Sequence, residues 1–241
     1  MSADAARWPE PEPIRPVRMP RPATLVGIAL LLALSPLACS EAMYRYGLTT
    51  VERPALPSQT VPTLVAEAAW VLAGHSGPRQ LRSGAPWNSG WFIVPFATQG
   101  DRLGLRAQPD HLAARLLVLG ARPRPTSRFR QRLASDSLAT WLRRNATADQ
   151  AITLWLSHEY FGHGVPGLDL AAAKLVGKPV ARLDAEEVAR LLALTQYPGT
   201  ETRPALWKER RDQILAGLLL RGTISAEAAA EARSRPLPPA K

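Results

Sequence analysis

Residues 152–167 read ITLWLSHEYFGHGVPG, and they encode a helix, the end of that helix and the turn that follows it. The helix ends at Tyr160 and Phe161, two large side chains expected to lie in the core, and a helix-breaking glycine comes next. Gly164 and Gly167 permit tight backbone paths before the next helix begins. The stretch therefore predicts a helix that closes in a packed, glycine-dependent turn.

Local signals set further helix boundaries on both sides of this stretch. Thr147 and Gln150 form a capping box, in which the hydroxyl accepts an amide hydrogen bond and the Gln side chain reaches back. Asp184 and Glu187 repeat a related arrangement. The predicted helices cover residues 61–74, 111–119 and 127–144, and the glycines expected to end helices are Gly74, Gly120, Gly162, Gly177 and Gly222.

Strand signals are weak by comparison. Residues Trp91 to Val94 could form a short strand, and no alternation of any length follows residue 100. The sequence therefore predicts a mainly α domain over residues 60–234, which is long enough to bury one core.

Composition excludes several classes of protein. The 241 residues include 30 Lys and Arg against 20 Asp and Glu, for a net charge of +10, and 46% are hydrophobic. These are ordinary globular proportions, and the single cysteine, Cys39, excludes a disulfide scaffold or a thiolate zinc site. The arginines lack interleaved aromatic residues, so a polyanion or lipid phosphate is a better partner than nucleic acid. Proline-rich stretches predict flexible tails at residues 1–22 and 235–241.

An uncharged apolar run at residues 23–39 points to a membrane. It spans about 17 residues, near the lower limit for crossing a bilayer, and the interfacial Tyr44 and Tyr46 follow it. Arginines precede the run and balanced charges follow it, so we expect the N-terminus inside and the C-terminal domain on the periplasmic side. A single-pass anchor over residues 23–43 in the inner (plasma) membrane is the favoured interpretation. A cleaved signal and a lipoprotein signal ending at Cys39 are the alternatives.

Metal and hydrolase motifs are not supported. His158 and His163 resemble the pair of a zinc-binding helix, but five positions place the two rings about 140° apart. No nucleophile elbow is present for a serine hydrolase. The residues themselves identify no metal site and no cofactor.

The stretch from Asp149 to about Glu231 carries a family resemblance. Residues 152–167 resemble the family pattern I-L-x-x-Y-L-N-x-x-Y-F-G-x-G-x-x-G. The later family elements A-A, G-K and L-x-x-x-E-A-A are matched by Ala171 and Ala172, by Gly177 with Lys178, and by the segment that contains Glu187. That pattern belongs to glycosyltransferase family 51, the transglycosylase domain of monofunctional peptidoglycan glycosyltransferases and of class A penicillin-binding proteins. The resemblance implies a lysozyme-like fold, a membrane anchor, and glycosyl transfer from lipid II. A divalent cation is a further implication of the resemblance alone. The structural motif residues it assigns are Tyr160, Phe161, Gly162, Gly164, Gly167, Gly177 and Glu187.

The first catalytic acid of the family is displaced here. The family's base lies in E-D-x-x-F-x-x-H-x-G, and alignment on His75 and Gly77 puts Ala68 at its position. Glu67 comes one residue early, and such a shift rotates a helical side chain by about 100°. Glu67 is therefore the candidate base, and a solvated glutamate on the polar side of its helix is the alternative.

The second acid is displaced as well. Counting back from the Tyr160 motif puts Ser135 at the family's acidic position in R-K-x-x-E, with Asp136 adjacent and Arg132 in place of the Lys. Asp136 is the second candidate acid, and the resemblance makes Arg132 and Lys178 candidate substrate-binding residues. The donor-site segment G-S-T-x-x-x-Q-Q is not found between Gly77 and Gln131, where Thr98-Gln99 is a poor remnant.

Two hypotheses for the function follow. The first is a working peptidoglycan glycosyltransferase that uses Glu67 and Asp136 as shifted acids. The second is a membrane-anchored protein that binds lipid II, glycan strands or a cell-wall synthase without catalysis. A different chemistry on the same scaffold is a third option.

Overall fold

A computed structural model of the protein describes residues 22–84, 108–122, 125–162, 164–195 and 203–238, with backbone alone over residues 22–33 and at residue 36. The short strand predicted at Trp91 to Val94, the Thr98-Gln99 pair and His163 lie outside the described residues.

The described chain is mainly helical, and the only β pairing within it is a single bridge between Tyr160 and Pro166. The mainly α prediction is therefore confirmed. In chain order the helices are α1 (Pro22–Leu48), α2 (Thr63–Leu72), α3 (Pro109–Gly120), α4 (Arg128–Asn145), α5 (Ala148–His158), α6 (Leu168–Ala171, continued by a π turn at Ala172–Val176), α7 (Ala185–Thr195), α8 (Pro204–Leu220) and α9 (Ala226–Ser234), with a 3-10 turn at Val180–Arg182 before α7.

Residues from Leu37 onward form one compact unit, and the residues before it form another. The predicted anchor, residues 23–43, falls within α1. Among the helices of the described ranges, none combines the length and apolar composition needed to cross a bilayer.

Helix α2 lies at the centre of the larger unit. It contacts α5, α7 and α8, while α3 packs on α4 and α5. Trp70 on α2 and Trp155 on α5 are almost fully buried, and Phe161 just after α5 is completely buried. Such large apolar groups dominate the energy of a helical core, because burial of each removes 150–250 Å² from water.

Two buried charged groups hold the outer helices to this core. Asp110 at the start of α3 is fully buried and accepts a 2.6 Å hydrogen bond from Nε of Arg143 on α4. Burial raises the pKa of Asp110, and the nearby Arg143 opposes that shift. On α8, Arg211 is buried and donates to the backbone carbonyls of Arg233 and Arg235, which fixes the end of α9.

The local boundary signals are confirmed. Thr147 and Gln150 make both hydrogen bonds of a capping box at the start of α5. Asp184 and Glu187 also cap each other reciprocally, with distances of 3.0 and 2.9 Å from each carboxylate to the partner's backbone nitrogen. Gly74, Gly177 and Gly222 follow helix ends with φ between 67° and 84°, whereas Gly162 (φ 84°) lies in the turn four residues beyond the end of α5. Gly120 is the last residue of α3.

The turn after α5 differs from the prediction in two respects. Helix α5 ends at His158, before Tyr160 and Phe161, because the backbone is already extended at Glu159. Phe161 is buried as expected, but Tyr160 is 41% exposed, so its assignment to the core is wrong. The Tyr160 hydroxyl instead accepts a 2.9 Å hydrogen bond from the backbone N–H of Gly164. The side chain therefore stabilises the turn from outside, because its polar end is needed at the loop backbone.

Gly167 closes this turn and cannot carry a side chain without strain. Its φ is +79°, and a Cβ there would lie 2.9 Å from the carbonyl oxygen of Ser157. Its N–H donates to the carbonyl of Glu159 at 2.8 Å. Two independent constraints, backbone conformation and close approach, therefore require glycine.

We expect Gly167→Ala to lower the free energy of unfolding by about 1–3 kcal/mol, and Gly167→Val by at least as much. The matched control is Gly164→Ala, since Gly164 also has a positive φ (+70°) but has open space around its Cβ position. Urea unfolding of the three variants measures the difference. Equal losses for Gly167→Ala and Gly164→Ala would show that the contact with Ser157 has no effect.

Candidate functional site

Glu67, the candidate base, lies on α2 with its side chain 15% exposed. Oε1 accepts a hydrogen bond from Nη1 of Arg79, and Oε2 accepts one from Nε of Arg221 at 2.5 Å. The alternative of a solvated glutamate on a polar helix face is therefore wrong. Both carboxylate oxygens are engaged by guanidinium groups.

The two arginines extend these contacts to other segments. Arg79 also binds both oxygens of Asp149, in the first turn of α5, at 2.8 and 3.2 Å. Arg221, which caps the end of α8, donates from Nη1 to the carbonyls of Ser76 and Gly77. We call Glu67, Arg79, Asp149 and Arg221 the Glu67 network.

The charges of the Glu67 network compensate each other, with two carboxylates against two guanidinium groups. Burial disfavours the charged form of Arg79, but the hydrogen bond and attraction of Asp149 outweigh it, so the pKa of Arg79 is raised. The network joins α2, the segment after α2, α5 and α8. The described contacts of Glu67 link these segments, and its role as a base remains a prediction.

Asp136, the second candidate acid, lies on α4 with its side chain 15% exposed. Oδ1 is 3.7 Å from Nδ1 of His111 on α3, and Oδ2 is 3.8 Å from Nε of Arg132, one turn earlier on α4. Ser135, at the family's acidic position, is buried. Asp136 thus belongs to a cluster between α3 and α4, whereas Glu67 contacts Arg79 in the segment after α2 and Arg221 at the end of α8.

Lys178, the other candidate substrate-binding cation, lies in a third cluster. Its Nζ donates to Oε1 of Glu187 at 2.5 Å, while the Lys178 side chain remains 46% exposed. Glu187 also caps α7, and Asp184 on the other side of that cap pairs with Arg235 at 2.5 Å. The substrate-binding role of Lys178 and Arg132 remains a prediction.

Sequence reasoning missed Glu159, a half-buried acid at the end of α5. Its Oε2 accepts a 2.6 Å hydrogen bond from the indole N–H of Trp155, and Oε1 accepts one from the Tyr160 amide. Burial raises the pKa of Glu159, partly offset by these hydrogen bonds and by Arg115. The signal was available, because Trp155 and Glu159 are four residues apart and so share a helix face.

No group of three or more His, Cys, Asp or Glu side chains in the described ranges is arranged to hold a metal ion. The described residues offer acid–base and cationic groups. These groups are the half-buried carboxylates of Asp136 and Glu159 and the exposed cations of Arg132 and Lys178.

Comparison with known families identifies the region that carries these residues. Residues 113–219 match the model of the family described as Transglycosylase. This segment is a transglycosylase domain of glycosyltransferase family 51, as the resemblance predicted. It includes Asp136, Glu159 and Lys178, and it begins after Glu67.

Curated relatives agree with that assignment. The chain is 37% identical over 103 residues to penicillin-binding protein 1F of Bacillus subtilis, covering 42% of this chain and 14% of that protein. It is 32% identical over 112 residues to penicillin-binding protein 1A of Rickettsia bellii, covering 45% and 14%. It is also 33% identical over 92 residues to penicillin-binding protein 1C of Escherichia coli, covering 36% and 12%. The match thus spans 12–14% of the length of these relatives.

We expect Glu67→Gln to lower the free energy of unfolding by about 1–3 kcal/mol, because two poorly exposed guanidinium groups lose a charged partner. The matched control is Glu231→Gln, which removes a 69% exposed partner of Arg235. The control substitution should lower the free energy of unfolding by no more than about 1 kcal/mol. If both variants unfold at the same urea concentration, the Glu67 network does not stabilise the fold.

The raised pKa of Glu159 predicts a pH-dependent stability. Its folded pKa lies above the ordinary value of 4.5. The stabilisation of the fold by protonated Glu159 is therefore fully present below that value. It is lost as the pH rises through the pKa of Glu159 in the folded protein. We expect Glu159→Gln, which stays neutral, to gain stability relative to wild type as pH rises from about 4 to about 7.

Urea unfolding at several pH values measures this difference, and Glu52→Gln, at an exposed position, controls for loss of a charge. A stability difference between Glu159→Gln and wild type that does not change with pH would contradict the prediction.

Proposed function

We propose that this protein is a divergent transglycosylase-family protein that binds lipid II or glycan strands of peptidoglycan during cell-wall synthesis without polymerising them. The observation that carries the proposal is the double guanidinium pairing of Glu67. A general base must reach the acceptor hydroxyl within about 3 Å. Glu67 instead directs each oxygen at an arginine, and one of these, Arg221, comes from the far end of α8.

The ligand is suggested by the family segment and by its exposed cations. Lipid II carries a pyrophosphate, and arginine and lysine side chains are the usual partners of phosphate groups. The side chains of Arg132 and Lys178 are 47% and 46% exposed and can reach an anionic ligand. We assign them to ligand binding, on a lysozyme-like domain over residues 60–234.

The location belongs to the same proposal. The apolar run within residues 23–43 would hold the chain in the inner (plasma) membrane as a single-pass protein, with the domain on the periplasmic side. Arg15, Arg18 and Arg21 precede the run, and no acidic residue lies between Arg15 and the run, which favours this orientation. A cell-wall synthase is a further partner under this proposal, and nucleic acid is not.

Catalytic glycosyl transfer is the second candidate, and Asp136 favours it. This acid lies within the family segment, is half-buried, and faces His111 and Arg132. In that case Asp136 would act in the reaction, and Glu67 would support the fold or serve as a shifted base.

Incubation of the purified full chain in detergent with labelled lipid II tests the proposal. We expect a bound complex and no glycan polymer, with a polymerising transglycosylase run in parallel as the positive control. Arg132→Gln and Lys178→Gln should each weaken binding by about tenfold, since each removes a charge-assisted hydrogen bond. The matched control is Arg182→Gln, at an exposed arginine outside these clusters.

Polymer formation by the wild type would overturn the binding proposal. Loss of that polymer in Asp136→Asn, with a folded variant, would then establish the catalytic alternative. Absence of binding by the wild type would reject both.

A further inference from the structure

A cavity of about 470 Å³ lies between the end of α1, the segment after it and the C-terminal half of α4. We call it the α1–α4 pocket. None of the candidate acids or substrate-binding cations lines it. Its lining residues are Tyr44, Arg45, Leu48, Thr49, Arg53, Trp141 and Asn145.

One wall of the α1–α4 pocket is held in place by Arg144. Its guanidinium carbon lies 4.2 Å from the centre of the Tyr44 ring, a cation–π distance. The same guanidinium donates to both oxygens of Glu41, at 3.3 and 2.9 Å. The hydrogen bond from Arg144 has the largest effect on the pKa of Glu41, which it lowers. These contacts join α1 to α4, so the wall exists before any ligand arrives.

The lining of the α1–α4 pocket suits a phosphate. Two arginines and no acidic residue line it, and a guanidinium binds phosphate oxygens through a fork of N–H donors. Arg53 is exposed and makes no ion pair with the residues that the structure describes. Arg45 is 76% exposed and pairs with Glu41 at 3.2 Å. Both guanidinium groups are therefore accessible to an incoming anion.

The same lining suits a membrane surface. Tyr44 and Trp141 are the residue types that collect at the level of lipid headgroups. Tyr44 lies five residues after Cys39, the end of the apolar run, and the helical rise makes this about 7.5 Å. The headgroup layer on each side of a bilayer has about the same thickness.

We propose that the α1–α4 pocket binds the phosphate headgroup of an anionic phospholipid. The proposal rests on the membrane location given under Proposed function for its choice of a lipid over a free phosphate. Lipid held here would fix the domain against the membrane surface.

Binding of short-chain lipids to the purified full chain tests this proposal without depending on the anchor. The probes are dihexanoyl phosphatidylglycerol, dihexanoyl phosphatidylcholine and free glycerol phosphate, below the concentration at which the lipids form micelles. We expect the anionic lipid to bind, and the double variant Arg45→Gln/Arg53→Gln to weaken binding at least tenfold. The matched control, Arg182→Gln/Arg233→Gln, removes two exposed arginines elsewhere and should bind as the wild type does.

Several outcomes would overturn the proposal. Equal binding of free glycerol phosphate and the anionic lipid would assign the pocket to a soluble phosphate. Equal binding of both lipids, or equal weakening by the control variant, would reduce the effect to nonspecific attraction. A second variant, Trp141→Phe, should weaken binding of the anionic lipid but not binding of glycerol phosphate. An unchanged affinity for the lipid would argue against a headgroup site. Recovery of the protein without detergent would contradict the predicted membrane anchor. The binding results would still show whether the α1–α4 pocket binds an anionic lipid.

Discussion

The carboxylate of Glu67 holds together parts of the chain that are far apart in sequence. Its partners, Arg79 and Arg221, lie 12 and 154 residues away, and Arg79 brings in Asp149 on α5. A carboxylate removed from water loses favourable hydration, and only close, well-oriented partners offset that loss. The Glu67 network meets this condition because both oxygens have a guanidinium donor. The position of central helix α2 against α5 and α8 depends on the same contacts.

This arrangement connects the fold to the question of activity. A transglycosylase needs a carboxylate that is free to take a proton from a sugar hydroxyl. In this chain Glu67, the carboxylate nearest the expected register, links α2, the segment after it, α5 and α8 through the Glu67 network. The family segment at residues 113–219 begins after Glu67. The proposal of binding without catalysis rests on this pairing.

Charge is distributed over the molecule in two different ways. Poorly exposed ion pairs, such as Asp110 with Arg143, fasten one helix to the next and have no access to a ligand. Several exposed cations lie elsewhere, among them Arg132 on α4, Lys178 before α7, and Arg45 and Arg53 at the α1–α4 pocket. The two proposals assign anionic ligands of different kinds to these separate surfaces.

The sequence by itself determined the local structure. The capping pairs Thr147–Gln150 and Asp184–Glu187, and the glycine that ends the π turn at Gly177, were all predicted, because each depends on hydrogen bonds or backbone angles within a few residues. The helical class and the family followed from the same local patterns and their spacing.

Only the tertiary structure decided the partners and exposure of individual side chains. Glu67 could have been solvated, reactive or paired, and the outcome depends on Arg221 reaching it from the end of α8. Tyr160 was expected in the core, yet it faces outward because the Gly164 amide offers its hydroxyl a hydrogen bond. The half-buried state of Glu159 depends in the same way on what packs around the end of α5. Contacts between residues far apart in sequence leave no periodic pattern in the chain. The partners of the candidate site residues could therefore be identified only from the packing of the helices.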